Sequence, residues 1–314
     1  MNRWATGTII LFFVLSSFLY GQEPVTLRYK ANRETKLIYK RVTKLDQQQT
    51  VKEMKFKTKI VSTDFNVVTY LGKDDKGNLK LQTENKGMKV KMELPQVGEY
   101  TFDSAKETND KESTLGNALT PVYERLNGSI MTLIVSPDGE LKKIEGYDEL
   151  MKDVLKNNPI GAQFSGGGSE DAARLNFAEF YPLLPKNGVR PGDTWERPYV
   201  LKLPKIGKVE GKRRYQYEGM VKQGKRQVAK ILVNSELAID LNLNQGGAKV
   251  TGNMSITDSK GTIFFDPQAG NVVSVKNQIT MGGLLNVTVG DQNIQVNSEQ
   301  TQSIQMDLLD RLPK

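Results

Sequence analysis

The chain of 314 residues contains no cysteine and no histidine. It cannot build a disulfide, a thiolate nucleophile, an iron–sulfur cluster or a cysteine-based zinc site. Nor can it build a Ser-His-Asp triad, an imidazole metal ligand or an imidazole general base. The commonest routes to catalysis at neutral pH are closed, and we read the chain as noncatalytic, with no metal and no cofactor. Tryptophan is scarce as well, with two residues, Trp4 and Trp195. Long apolar runs are confined to the N-terminus, so no later segment is expected to span a membrane as a helix.

That N-terminal run has the layout of a secretory signal. Arg3 supplies the positive end, Ile9-Ile10-Leu11-Phe12-Phe13-Val14-Leu15 the apolar stretch, and Gly21 a small residue before a cut that leaves Gln22 first. Residues 1–21 are therefore expected to be removed. No cysteine stands at the cut to carry a lipid. Loss of Arg3 takes the formal charge from +8 to +7. The expectation is a basic exported protein, periplasmic or extracellular, whose core must hold without disulfides.

Period-two alternation dominates the rest and predicts strands with one buried face. Met88, Val90, Met92 and Leu94 alternate with Lys89, Lys91 and Glu93. Leu237, Ile239, Leu241 and Leu243 alternate with Ala238, Asp240 and Asn242, and Ile304, Met306 and Leu308 share one face near the end. Three turn signals lie between such runs: Asp74-Asp75-Lys76-Gly77-Asn78, Ser136-Pro137-Asp138-Gly139 and Asp266-Pro267-Gln268-Ala269-Gly270-Asn271. Each predicts a hairpin, because proline presets φ and glycine accepts positive φ. The fold class is mainly β: curved antiparallel sheet in two related halves, with two or three short amphipathic helices.

Tyr147, Leu150, Met151, Val154 and Leu155 form one helical stripe that ends at Asn157-Asn158-Pro159. A second helix is predicted from Ser169, carrying Ala173, Phe177 and Phe180 inward until Pro182. A short third is predicted from Thr120 as cap, through Pro121, to Asn127-Gly128. The segment Gln163-Phe164-Ser165-Gly166-Gly167-Gly168-Ser169 reads as a linker. It lacks the lysine of a phosphate-binding loop, and Glu170 and Asp171 would repel an anion there. The expected divisions are an N-terminal half over 22–156, a linker over 157–170 and a C-terminal half over 171–314. The halves look related. The strand–turn–strand unit at Met131–Leu141 parallels Thr262–Val272, and 35–41 loosely matches 211–217.

The layout resembles a bacterial family of secreted, two-repeat β-proteins catalogued only as a domain of unknown function. The resemblance rests on Val25-Thr26-Leu27-Arg28-Tyr29-Lys30, on the Val135-Ser136-Pro137-Asp138-Gly139-Glu140 hairpin and on the Phe264-Phe265-Asp266 strand. Its strongest part is Leu183-Leu184-Pro185-Lys186-Asn187-Gly188-Val189-Arg190-Pro191-Gly192-Asp193-Thr194-Trp195. It implies an exported protein with no established activity and no functional residues to carry over. The architecture is also similar to carriers of the lipoprotein-localisation type, a likeness of fold alone.

Charge supplies the one candidate site. Residues 202–230 hold ten Lys/Arg against Glu210 and Glu218, and residues 28–59 hold eleven against three acids. Lys212, Arg213, Arg214, Lys222, Lys225 and Arg226 are the candidate patch for an anionic envelope surface. No nucleic-acid motif appears. Trp195, beside the Pro191-Gly192-Asp193 turn, is read as a structural anchor. The functional expectation is an envelope protein holding a lipid or other apolar ligand in a concave sheet. The alternative is an interaction scaffold without a cavity ligand.

Overall fold

The computed structural model describes residues 23–32, 35–106, 110–155, 170, 173–174, 177, 181–203, 207–245 and 247–313. The predicted leader lies outside the described residues. So does the predicted linker, apart from Glu170.

Among the described residues, twelve strands and two helices with defined bounds follow one another. They are β1 (Lys36–Val51), β2 (Met54–Lys73), β3 (Leu79–Leu94), β4 (Gly98–Asp103), α1 (Thr114–Leu126), β5 (Ile130–Val135), β6 (Leu141–Glu145) and α2 (Tyr147–Leu155). Then come β7 (Thr194–Leu203), β8 (Gly207–Gln223), β9 (Arg226–Gln245), β10 (Ala248–Asp266), β11 (Asn271–Val289) and β12 (Gln292–Leu309). All twelve belong to one antiparallel sheet, ordered β6-β5-β3-β2-β1-β12-β11-β10-β9-β8-β7, with β4 paired to β3 off that path. The fold is mainly β, as the alternation predicts. The seam between the halves is the pairing of β1 with β12, which runs from Ile38–Leu309 to Val51–Val296.

The sheet is open, but it curls until its two edges approach. Arg197 on the β7 edge comes within 3.9 Å of Glu140 at the start of β6. Segments outside the sheet occupy the gap. The amide of Leu184 donates to Asp138, and Trp195 donates its indole N–H to the Leu183 carbonyl at 2.7 Å. Trp195 is thus held as an anchor and stacks on Tyr215. A single apolar core joins both halves, with Leu27, Tyr39, Val135, Tyr217, Ile231 and Phe265 among its members.

All three turn signals form hairpins. In the first, Asp74 accepts from the amides of Lys76 and Asn78. The other two grip adjacent residues of the N-terminal segment. The Tyr29 amide donates to the Pro137 carbonyl at 2.8 Å, and the Lys30 amide to Gly270 at 3.0 Å. The parallel seen between these two hairpins is thus a shared task. The two sequence matches are nevertheless out of step by one strand. Matching 35–41 to 211–217 pairs β1 with β8, whereas matching the hairpins pairs β5 with β10, and β2 and β3 intervene on one side where β9 alone does on the other.

The helices correct one expectation. The stripe from Tyr147 is α2, as predicted. The helix placed at Thr120 begins earlier, at Thr114, with Ser113 as its cap accepting from Gly116. Thr120 is instead buried inside α1, bonded to the Tyr100 hydroxyl and the Asp110 carbonyl. Pro121 is tolerated in the helix interior because the carbonyl it leaves without an amide partner belongs to Asn117, on the exposed face. Glu170, Ala173, Arg174 and Phe177 are helical, in keeping with the predicted second helix. Ser169 and Phe180 lie outside the described residues.

Candidate functional site

A cavity of about 360 Å³ lies between the inner face of the N-terminal half of the sheet and the helices above it. The roof is apolar. Leu119, Val122 and Leu126 come from α1, Leu150, Met151 and Val154 from α2, and Phe177 lies beside them. Both helices are amphipathic with this stripe turned toward the sheet, so the roof follows from their period. Val68, Met88, Met131, Leu133 and Ile144 give the floor its apolar part.

A β-bulge keeps β3 in this floor. Leu79, Leu81, Thr83 and Asn85 point inward at odd positions, whereas Met88, Val90 and Met92 point inward at even ones. The change falls where Asn66 pairs with Asn85 but Phe65 pairs with Gly87, leaving Lys86 as the extra residue. The Asn85 side chain accepts from the Gly87 amide at 3.1 Å and holds the kink.

The middle of the floor is polar. Arg41 on β1 stands opposite Asp64 on β2. Its Nε and Nη2 both lie 2.9 Å from Asp64 Oδ2. Asp64 is 1% exposed and sits between Arg41 and Met88 across the sheet. A buried carboxylate is tolerated when a cation and hydrogen bonds balance it, and Arg41 supplies both. One row along, Asn66 faces Tyr39 on one side and Asn85 on the other. Arg41 and Asn66 line the cavity. Tyr181 reaches it too, stacked on Phe177 with ring centroids 4.3 Å apart. Burial pushes the Tyr181 phenol up to about 12, with Arg41 pulling slightly the other way. Burial likewise raises Tyr123, helped by Tyr100 and Asp64. Both phenols are neutral at physiological pH and act there as hydrogen-bonding groups. The arrangement is a largely apolar pocket with a few polar groups on its floor, which suits an amphiphilic molecule.

Sequence reasoning passed over Arg41 and Asp64. The signal was present: Arg41 shares the parity of Leu37 and Tyr39, and Asp64 that of Val68 and Tyr70. A charged residue at an inward parity marks a buried pair or a site.

The predicted basic patch is not one surface. In β8, odd residues turn inward and even residues outward, so the consecutive Lys212-Arg213-Arg214 cannot lie together. Arg213 is 6% exposed, and burial lowers its pKa. Lys212 and Arg214 lie outside but meet Glu196 on β7 and Glu236 on β9, with Arg214 Nη1 3.0 Å from Glu236. Arg226 approaches Asp266 at 3.8 Å. Lys222 and Lys225 are exposed near the β8–β9 turn. Among the described residues, no group of three or more acidic side chains could hold a metal ion.

Residues 76–272 match a family described as a family of unknown function (DUF6263). This chain belongs to that family. The match includes the 183–195 segment on which the resemblance chiefly rests. No curated protein matches the chain. Among solved structures, the β domain of the Bordetella autotransporter BrkA is 7% identical, over 88% of this chain and 100% of that one, with a TM-score of 0.23. Pseudomonas aeruginosa OccK5 is 8% identical over 89% and 100%, with a TM-score of 0.22. DynF from the dynemicin biosynthesis pathway of Micromonospora chersina is 7% identical over 91% and 86%, at 0.20. At such scores the overlap carries no argument about this member of the family.

Proposed function

We propose that this family member is an exported, noncatalytic envelope protein that holds a lipid or similar amphiphile in the cavity beneath α1 and α2. The observation that carries the reading is the cavity itself: about 360 Å³, with an apolar roof and a floor whose apolar sides flank a polar middle at Arg41, Asn66 and Asn85. That volume lies within the range of ligand pockets, about 300–1,000 Å³. An acyl chain would lie against Leu119, Val122, Met151 and Met131. Its polar end would meet the Arg41 guanidinium, which lines the cavity at the polar middle of the floor. Export rests on the leader pattern of residues 1–21.

Native mass spectrometry of the protein purified gently from an exporting cell tests this. The expected result is a reproducible added mass that resolves to a lipid on denaturation. Ala173→Phe, which fills space at the cavity wall, should remove the added mass while the protein stays folded. A clean apoprotein mass, or an adduct indifferent to Ala173→Phe, would overturn the reading and favour an interaction scaffold.

A further inference from the structure

The outer face of the sheet carries a second concavity, unrelated to the first. It is a groove of about 780 Å³ that crosses seven strands, from Val42 and Lys44 on β1 to Thr194 and Glu196 on β7. With strands spaced about 4.8 Å apart, it runs roughly 29 Å. Two transverse rows of outward side chains form its banks. One row is Lys44, Ser303, Gln278 and Lys260, set by the pairs Lys44–Ser303, Gln278–Ser303 and Lys260–Gln278. The other contains Gln305, Lys276, Thr262, Leu232 and Gln216. Between them runs a row whose side chains turn inward, so only backbone forms the bottom. Gly261 belongs to that row, and any side chain there would collide with Val233 and Asn277.

The charge of this groove is lopsided. Its lining holds Lys44, Lys260, Lys276 and Arg214 against one acid, Glu196. Arg214 is already bridged to Glu196 and Glu236. The three lysines are exposed, and among the described residues none is within ion-pair distance of an acid. Asp46 and Asp258 stand one row outside one bank, paired through Thr301 and Thr280, and Asp307 stands one row outside the other, where it accepts from the Gln305 side-chain amide at 2.7 Å. The remaining lining is rich in amide and hydroxyl groups. The groove therefore offers separated positive charges along a hydrogen-bonding track.

We propose that this groove binds an extended acidic polysaccharide, laid across the strands. Carboxylates of the sugar chain meet Lys44, Lys260 and Lys276, and its hydroxyls meet Gln216, Gln278 and Gln305. Three features favour this ligand over other polyanions. The groove is narrow and long, the shape of a single linear chain, and a flat bilayer surface would span its banks without reaching the bottom. Neutral hydrogen-bonding groups outnumber the cations, which suits a polymer with many hydroxyls per charge. Single-stranded nucleic acid needs aromatic platforms for its bases. Among the described residues, Tyr215 is the one aromatic of the lining, and its ring stacks on Trp195 on the opposite face.

The test is titration of the full chain with a fluorescent oligogalacturonate, read by anisotropy. Neutral dextran, a single-stranded oligonucleotide and phosphatidylglycerol vesicles are the comparators. The expected result is binding to the oligogalacturonate that weakens with salt and exceeds binding to every comparator. The variant Lys44→Gln/Lys260→Gln/Lys276→Gln should weaken it on the order of tenfold or more, since three charge-assisted contacts are lost. A second variant, Lys55→Gln/Lys57→Gln/Lys59→Gln, removes the same charge from exposed positions on β2 and should change affinity by less than about twofold. Circular dichroism confirms that both variants fold. No binding by the parent, equal losses in the two variants, or equal binding of the oligonucleotide or vesicles would each overturn the proposal.

Discussion

The two halves of the sheet bury their inner faces by different means. The N-terminal half carries α1 and α2 over β1, β2, β3, β5 and β6, and the space between the layers is the cavity. Of the C-terminal half, no strand among the described residues has a helix packed along it. Five of its six strands, β8 to β12, run 17 to 20 residues, a length that only β2 reaches in the N-terminal half. Their far ends gather Met254, Ile279, Met281, Leu285 and Val296 into an apolar cluster, against which Val51 of β1 also packs. The two solutions leave different surfaces to use. A helical roof leaves an internal pocket, whereas a coiled sheet leaves a groove outside.

The largest test of this comparison is a pair of truncations. Phe265 is 0% exposed in the core shared by both halves, where its ring meets Tyr29 edge-on. Phe265→Ala should cost about 3–5 kcal/mol. Leu119, also 0% exposed, lies in the separate cluster under α1, and Leu119→Ala should cost about 2–5 kcal/mol. Urea unfolding followed by Trp195 fluorescence and by hydrogen exchange in α1 distinguishes the regions. For Phe265→Ala both probes should shift together. Separate transitions would mean that the halves do not share a cooperative core.

A smaller effect compares the hairpins. Gly270 has φ +71°, and a Cβ there would lie 2.4 Å from Lys30. Gly270→Ala should cost about 1–3 kcal/mol, combining left-handed strain with the clash. Gly77 has φ +80° with nothing within 4 Å, so Gly77→Ala should cost only the backbone strain, about 1 kcal/mol. Equal melting shifts for the two would show that the grip on the N-terminal segment contributes nothing.

The smallest effect belongs to the outer face of the C-terminal half. Glu236 meets Lys212 and Arg214 at a site where all three side chains are a third to a half exposed. Glu236→Gln should change stability by less than about 1 kcal/mol in thermal unfolding. A larger loss would indicate that the cluster ties β8 to β9 as a unit.

Much of this was legible from local pattern. Alternation in β9 and β12, the three turns and the α2 stripe each depend on residues a few positions apart, and local sterics decide them. The start of α1 was missed because Pro121 looks like a first-turn residue until the exposed Asn117 carbonyl is seen. Arg213 was counted with Lys212 and Arg214 because counting charges along a strand ignores its two faces. Arg41 and Asp64 are 23 positions apart and meet only through the β1–β2 register.

The sequence by itself determined the absence of thiol and imidazole chemistry, the strand-rich class, the turn positions and the family resemblance. Tertiary structure alone decided that the halves join through β1 and β12, that Lys86 is extruded at a bulge, and that Tyr29 and Lys30 are held by two hairpins. It also decided where the cavity and the outer groove lie. The physical reason is the nature of sheet pairing. Strand propensity is set residue by residue, but partner and register are chosen by which distant faces can be buried together.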